Sequence, residues 1–79
     1  MIDESVPLEL DVRGLSCPMP LLRARKALAG LGAGALLRVR VSDPQAPADF
    51  EAYCRDSGHQ LLEVQAEAGE WILLLSRRN

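Results

Sequence analysis

The side chains able to act as nucleophiles or ligands are few: two cysteines, Cys17 and Cys54, and one histidine, His59. Cys17 stands in the stretch RGLSCPMPLL, residues 13–22, directly before Pro18, with Pro20 two positions further on. The reactive form of cysteine is the thiolate, and a free thiol with a pKa of about 8.5 is only a few per cent thiolate at neutral pH. What Cys17 can do therefore depends on how it is held. Pro18 disfavours the α conformation at Cys17, as a helix N-cap requires, and Pro18 itself suits the first helical position. The spacing predicts Cys17 as the N-cap of a helix just past the end of a strand, where sheets built from parallel β-α-β units bind their ligands. A helix N-terminus lowers a thiol pKa, and Arg13 would add to this if its side chain turns back. Pro20 removes a donor from the first turn, and Asp43, ending a neighbouring strand, disfavours the thiolate. The expected balance is a modest lowering. Pro20 also disfavours a helical Met19; such stiffening suits a group that must be held accurately. The plainer alternative is a strand-to-helix turn in which Cys17 packs as a small hydrophobe.

The other candidates are weaker. Cys54 is expected in the core beside Phe50 and Tyr53, as buried free cysteines commonly are. CPMP lacks the second cysteine of a Cys-x-x-Cys pair, so a thiol redox protein would need Cys54 to pair with Cys17. His59 follows Gly58 and is expected at the surface without a partner. Two cysteines and one histidine fall short of the four ligands of a structural zinc site, and no metal is expected. The net charge of −2 and only three aromatics speak against direct nucleic-acid binding, which favours a basic excess or stacking aromatics. Two distant cysteines are free thiols by default in a reducing compartment. No apolar run approaches the roughly 20 residues that span a bilayer, and the opening MIDESVPLEL is acidic, unlike a signal peptide. The expectation is a cytoplasmic protein with no membrane association.

These residues must be positioned by a single domain, residues 1–79, since the length allows no more. Leu8, Leu10 and Val12 alternate with Glu9 and Asp11, a half-buried strand. From Pro18 to about Leu31 the residues Leu21, Ala24, Ala27, Leu28 and Leu31 share one side of a 3.6-residue wheel, and Gly30, Gly32 and Gly34 close that helix. Leu37, Val39 and Val41 alternate with Leu36, Arg38 and Arg40 in a second strand, stopped by Ser42-Asp43-Pro44. A second helix is expected from near Pro47 to Ser57, capped by Gly58. Two strands follow, Leu61–Glu67 with Leu62, Val64 and Ala66 facing in, and Trp71–Arg77, joined by the hairpin link Ala68-Gly69-Glu70. The order β-α-β-α-β-β makes the first two strands parallel and the last two antiparallel. The predicted fold is α+β: a two-layer sandwich in which a four-stranded mixed sheet carries two helices on one face. The run WILLL does not alternate, so its strand is central or partly apolar on the uncovered face, and the latter leaves room for a weak homodimer.

Opposite the core stripe of the first helix lie Met19, Leu22, Arg23 and Lys26, two apolar and two cationic side chains beginning one turn from Cys17. An ordinary solvated face would look similar; the sharper reading is a docking patch for an acidic partner. Arg38 and Arg40 are expected on the uncovered sheet face, paired across strands with Glu9, Asp11 or Glu63.

Asp11, Gly14, Cys17, Pro18 and Pro20, read as DVRGLSCPMP, resemble the TusA (SirA-like) family of sulfur carriers. The resemblance runs on through RARKAL, VSDP and YCRDSGHQLLE to the terminal hairpin and covers essentially the whole chain. It implies the same two-layer β-α-β-α-β-β fold. It also implies that Cys17 carries a covalent persulfide, with no other cofactor. The sulfane sulfur would come from a cysteine desulfurase or a rhodanese-like donor and pass to an acceptor protein. Asp11, Arg13, Gly14, Pro18 and Pro20 would support the thiol. Destinations in the family include tRNA thiolation, sulfur oxidation and cofactor assembly. Met19 stands where the tRNA-thiolation members have glutamate, which leaves the relay open. The rival from another class is a non-catalytic regulatory or protein-binding module that keeps the fold and uses the face of the first helix.

Overall fold

Helices separate the first three strands and a tight turn joins the last two, as the hydrophobic periods require. A computed structural model describes residues 6–78; the acidic opening, residues 1–5, lies outside the described residues, as does residue 79. The elements are β1 (Leu8–Asp11), α1 (Met19–Ala29), β2 (Leu36–Val41), α2 (Ala46–Ser57), β3 (Gln60–Glu67) and β4 (Glu70–Ser76). They form one four-stranded sheet in the order β1-β2-β4-β3. β1 and β2 are parallel, because α1 carries the chain back between them. β4 runs antiparallel to both β2 and β3. The α+β, two-layer architecture is the one expected.

The core forms where both helices meet the sheet. Leu37, Val39 and Val41 of β2 and Leu73 and Leu75 of β4 are fully buried, packed with Ala24 and Leu28 of α1 and Phe50 and Cys54 of α2. Leu21, Ala27 and Leu31 complete the α1 stripe, partly buried against the same cluster. β4 resolves the run WILLL: the strand is central, Leu73 and Leu75 face the helices, and Ile72 and Leu74 are half-buried on the uncovered face. There they lie opposite Arg40 and Arg38, whose aliphatic stems suit a partly apolar surface. Arg38 pairs with its register neighbour Glu9 at 2.6 Å.

β3 departs from expectation. Leu62, Val64 and Ala66 are exposed rather than inward, Leu62 at 51% and Val64 at 46%. A register shift between Leu61 and Glu63 makes Leu62 the extra residue of a bulge, the usual device that twists an edge strand. Val64 and Ala66 oppose Leu73 and Trp71, so they do lie on the helix side, but at the sheet edge the helix layer leaves them uncovered. Leu61, opposite Leu75, packs against the core instead. The β3–β4 turn places Ala68 (φ 51°) and Gly69 (φ 79°) in the left-handed region, the geometry of a two-residue hairpin turn matched to strand twist. α2 ends as predicted, with Gly58 at φ 86° donating its N–H to the Cys54 carbonyl at 3.0 Å.

Candidate functional site

β1 and β2 are parallel neighbours, so the crossovers that leave them start at the same end of the sheet. The loop from Val12 to Pro18 is laced across that end. Val12 N–H bonds the Arg40 carbonyl at 2.9 Å, Gly14 N–H bonds Ser42 Oγ at 2.8 Å, and Cys17 N–H bonds Asp43 Oδ2 at 2.7 Å. The other oxygen of Asp43 accepts Gln45 N–H at 3.0 Å, a turn that starts α2. One carboxylate thus fixes both the thiol-bearing loop and the first turn of the second helix. Gly14 takes φ +84° within this loop, a conformation that costs an L side chain.

The helix start differs from the prediction by one residue. α1 begins at Met19 with Pro18 as its N-cap, and Pro20 is the second helical residue. Cys17 precedes the cap, its own N–H spent on Asp43, and the Cys17–Pro18 peptide is cis. Pro20 is fully buried and lines the floor beneath Cys17 with Ala46 and Phe50. The second proline is therefore an anchor into the core as well as a restraint on the turn.

Cys17 is exposed and free, and its Sγ donates to Asp49 Oδ2 at 3.2 Å. Asp49 is half-buried on the first turn of α2. The expected modest lowering of the thiol pKa is overturned. Asp49 raises it, chiefly through the hydrogen bond to the protonated sulfur and then with desolvation and its own charge, and Asp43 adds a further push upward. Cys17 also precedes the α1 cap and does not form it. Arg13 does not turn back either. Its guanidinium holds both oxygens of Asp11, at 2.9 and 2.7 Å, and reaches Glu70 at 3.5 Å. The pair drives the Asp11 carboxyl down to about 2 and the guanidinium up.

The site residues therefore divide into two groups. Cys17, Pro18 and Pro20 meet Asp43 and Asp49 at the mouth between the helices, while Asp11 and Arg13 brace β1 to the β3–β4 corner. Gly14 connects them. From Cys17 an open groove runs between α1 and α2, lined by Pro18, Leu21, Asp49, Ala52, Tyr53 and Asp56. On the outer face of α1, Met19 and Leu22 are 37% and 45% exposed, and Arg23 and Lys26 stand in solvent beside them. Cys54 is buried, with burial raising its thiol pKa. His59 is half-buried rather than at the surface, accepting Arg78 N–H on Nδ1 at 2.9 Å. Burial and the nearby Arg78 and Arg77 lower its pKa. Among the described residues no cluster of three or more His, Cys, Asp or Glu is placed to hold a metal ion.

Ser42 and Asp49 escaped the reading of the sequence. Asp49 looks like an ordinary acidic residue in the first turn of a helix, where it favours the helix dipole. The signal that would have found it is topological: adjacent parallel strands bring the first turns of both crossover helices together, so the first turn of α2 must face the start of α1.

Residues 8–77 match the family model described as Sulfurtransferase TusA. The chain is 48% identical over 69 residues to a protein of Neisseria meningitidis serogroup A, covering 87% of this chain and 93% of that one. It is 39% identical over 69 residues to the sulfur carrier protein TusA of Allochromatium vinosum, covering 87% and 91%. A SirA-like protein of Desulfitobacterium hafniense, solved by crystallography, superposes with a TM-score of 0.78 at 29% identity, covering 90% of this chain and 97% of that one.

Proposed function

The chain belongs to the TusA family, and from that membership we propose that it is a sulfur-carrier protein, taking sulfane sulfur onto Cys17 as a persulfide and relaying it to an acceptor protein. The observation that carries this reading is the exposed Cys17 sulfur, presented at the mouth of an open groove by a loop clamped to the end of β2. An exposed sulfur on a rigid loop suits chemistry performed inside a partner's site rather than in a cavity of the carrier. The exchange needs no outside oxidant. Cys17 loses its proton, attacks the outer sulfur of a donor R–S–SH, and the donor's S–S bond breaks as the new one forms. The products are Cys17–S–SH and R–SH, the proton ending on the donor thiol. Delivery repeats the exchange: an acceptor thiolate takes the outer sulfur and Cys17 leaves as thiolate.

A cysteine desulfurase or a rhodanese-like protein suits the donor role, and cytoplasm is the compartment that keeps both cysteines reduced. The outer face of α1 is the docking surface in this reading, with Met19 and Leu22 as apolar anchors and Arg23 and Lys26 meeting acidic groups. The test is mass spectrometry after incubation with a desulfurase charged by cysteine and, separately, with a persulfidated rhodanese-like protein. The expected result is a reductant-reversible gain of one sulfur atom on the peptide containing Cys17. It should be absent in Cys17→Ser and slowed in the double charge reversal Arg23→Glu, Lys26→Glu. No gain from either class of donor would sink the carrier role and leave a protein-binding module of the same fold.

A further inference from the structure

Cys17 Sγ is exposed, yet its hydrogen is not free. The Sγ–Oδ2 distance of 3.2 Å to Asp49 is a hydrogen bond from a weak donor to a charged acceptor. Asp49 is itself held: it sits on the first turn of α2, its N–H bonds the Gln45 carbonyl at 3.1 Å, and it lines both the floor beneath the sulfur and the groove running from it. The groups that face Cys17 from each side all point the same way. From the end of β2 comes Asp43 and from α2 comes Asp49, with Asp56 further along the same groove, all carboxylates. The first turn of α1 carries no acidic residue, and its residues that line the surface around the sulfur, Pro20 and Leu21, are uncharged. Arg13, in the loop before Cys17, is taken by Asp11 and Glu70.

We propose that Asp49 is a positioning residue that keeps Cys17 in its protonated form and directs the S–H toward α2, so that the chain without a partner is a slow nucleophile. In the sulfur-carrier reading, on which the biological consequence rests, both uptake and delivery pass through a Cys17 thiolate. A carboxylate that opposes the thiolate slows its attack on stray electrophiles, and so protects the empty carrier between partners. The persulfide's inner sulfur carries no hydrogen, so the Sγ–H bond to Asp49 exists only in the unloaded state. Asp49 therefore distinguishes the empty carrier from the loaded one.

The experiment measures alkylation by iodoacetamide from pH 6 to 10 in a Cys54→Ser background, where one thiol reports. Asp49→Asn keeps the shape and removes the charge, Asp49→Ala removes both, and Glu51→Gln takes the same charge from the exposed side of α2. Circular dichroism confirms that each variant is folded, and Asp49→Asn decides alone if the alanine variant is not. The expected result is a downward shift of the midpoint of the rate–pH curve for both Asp49 variants. At pH 7 and low salt the rate should rise on the order of threefold, the scale of an exposed charged contact, and the difference should shrink in high salt. An unchanged midpoint in Asp49→Asn overturns the proposal, as does an equal shift in Glu51→Gln, which would make the effect one of net charge. Alkylation involves no persulfide, so this result and the sulfur-loading result can fail independently.

Discussion

Replacing Gly14 by the two mirror-image alanines isolates the backbone term that shapes the thiol loop. Gly14 has φ +84°, and a Cβ built there would meet nothing within 4 Å. Any cost of L-alanine is therefore conformational and not a clash. Placing an L residue in the left-handed region costs about 1–2 kcal/mol, offset by the roughly 0.4–1 kcal/mol gained from a stiffer unfolded chain. The net loss should be on the order of 0.5–1 kcal/mol, which lowers Tm by roughly 2–8 °C in a domain of this size. D-Alanine, introduced by chemical synthesis, prefers positive φ. It keeps the unfolded-state gain without the penalty, so it should be more stable than glycine by about 0.4–1 kcal/mol. Gly30 supplies the control: it caps α1 at φ −91°, and a Cβ there would lie 3.6 Å from the Ala27 carbonyl oxygen, an ordinary contact. Gly30→Ala should be neutral or slightly stabilising. Thermal and urea melts of the four proteins provide the comparison. If L- and D-alanine at position 14 melt together, the positive φ is not what glycine supplies there. If L-alanine raises Tm, the loop conformation described is wrong.

Two further perturbations test the support around the site. Phe50 is fully buried and forms part of the floor beneath Cys17; Phe50→Ala should cost about 3–5 kcal/mol, a large share of the roughly 4–12 kcal/mol available to a domain of this length, and a urea midpoint within error of the parent would refute that packing. Asp11 is held at about 2 against an ordinary 3.8 by its hydrogen bonds from Arg13. A carboxyl with a depressed folded value stabilises the fold above its unfolded value and loses that contribution as pH falls through the folded one. Tm should therefore decline between pH 4 and 2, with a shallower decline in Asp11→Asn; equal slopes in the two proteins would refute the pairing.

The alternation of Leu37, Val39 and Val41 made β2 legible because both of its neighbours lock the register and one face is buried. The α1 stripe was legible for the same reason: Ala24 and Leu28 recur on the side that meets the core. β3 shows where local pattern fails. Its apolar residues alternate as a half-buried strand should, but the amount of cover depends on how far the helix layer extends, and that is set by strand order. A strand that looks internal by period is an edge when β4 inserts beside β2. The two prolines singled out Cys17 as a candidate, yet its acidity was not legible, because that depends on a residue 32 positions away. The one-residue offset of the helix start had the larger consequence. It moved the thiol off the cap position on which the expected lowering had been argued.

What a chain this short gains from the parallel β1–β2 pair is a rigid place for one sulfur atom. Asp43 is the pivot: it follows β2 directly, and its two oxygens bond one N–H in each crossover, Cys17 before α1 and Gln45 before α2. The positions of Cys17 and Asp49 are thus referred to the same strand end, so their separation is fixed by the sheet and not by the flexible lengths of two loops. The division of charge follows from the same layout. Acidic groups gather at the sulfur, where Asp43 and Asp49 oppose the thiolate, while the cations Arg23 and Lys26 stand on the outer face of α1 with Met19 and Leu22. In the proposed function, recognition and reactivity fall on different sides of one helix. On that proposal, a partner drawn to the outer face of α1 would arrive one turn from Cys17, and a thiol disfavoured as thiolate would react chiefly in that encounter.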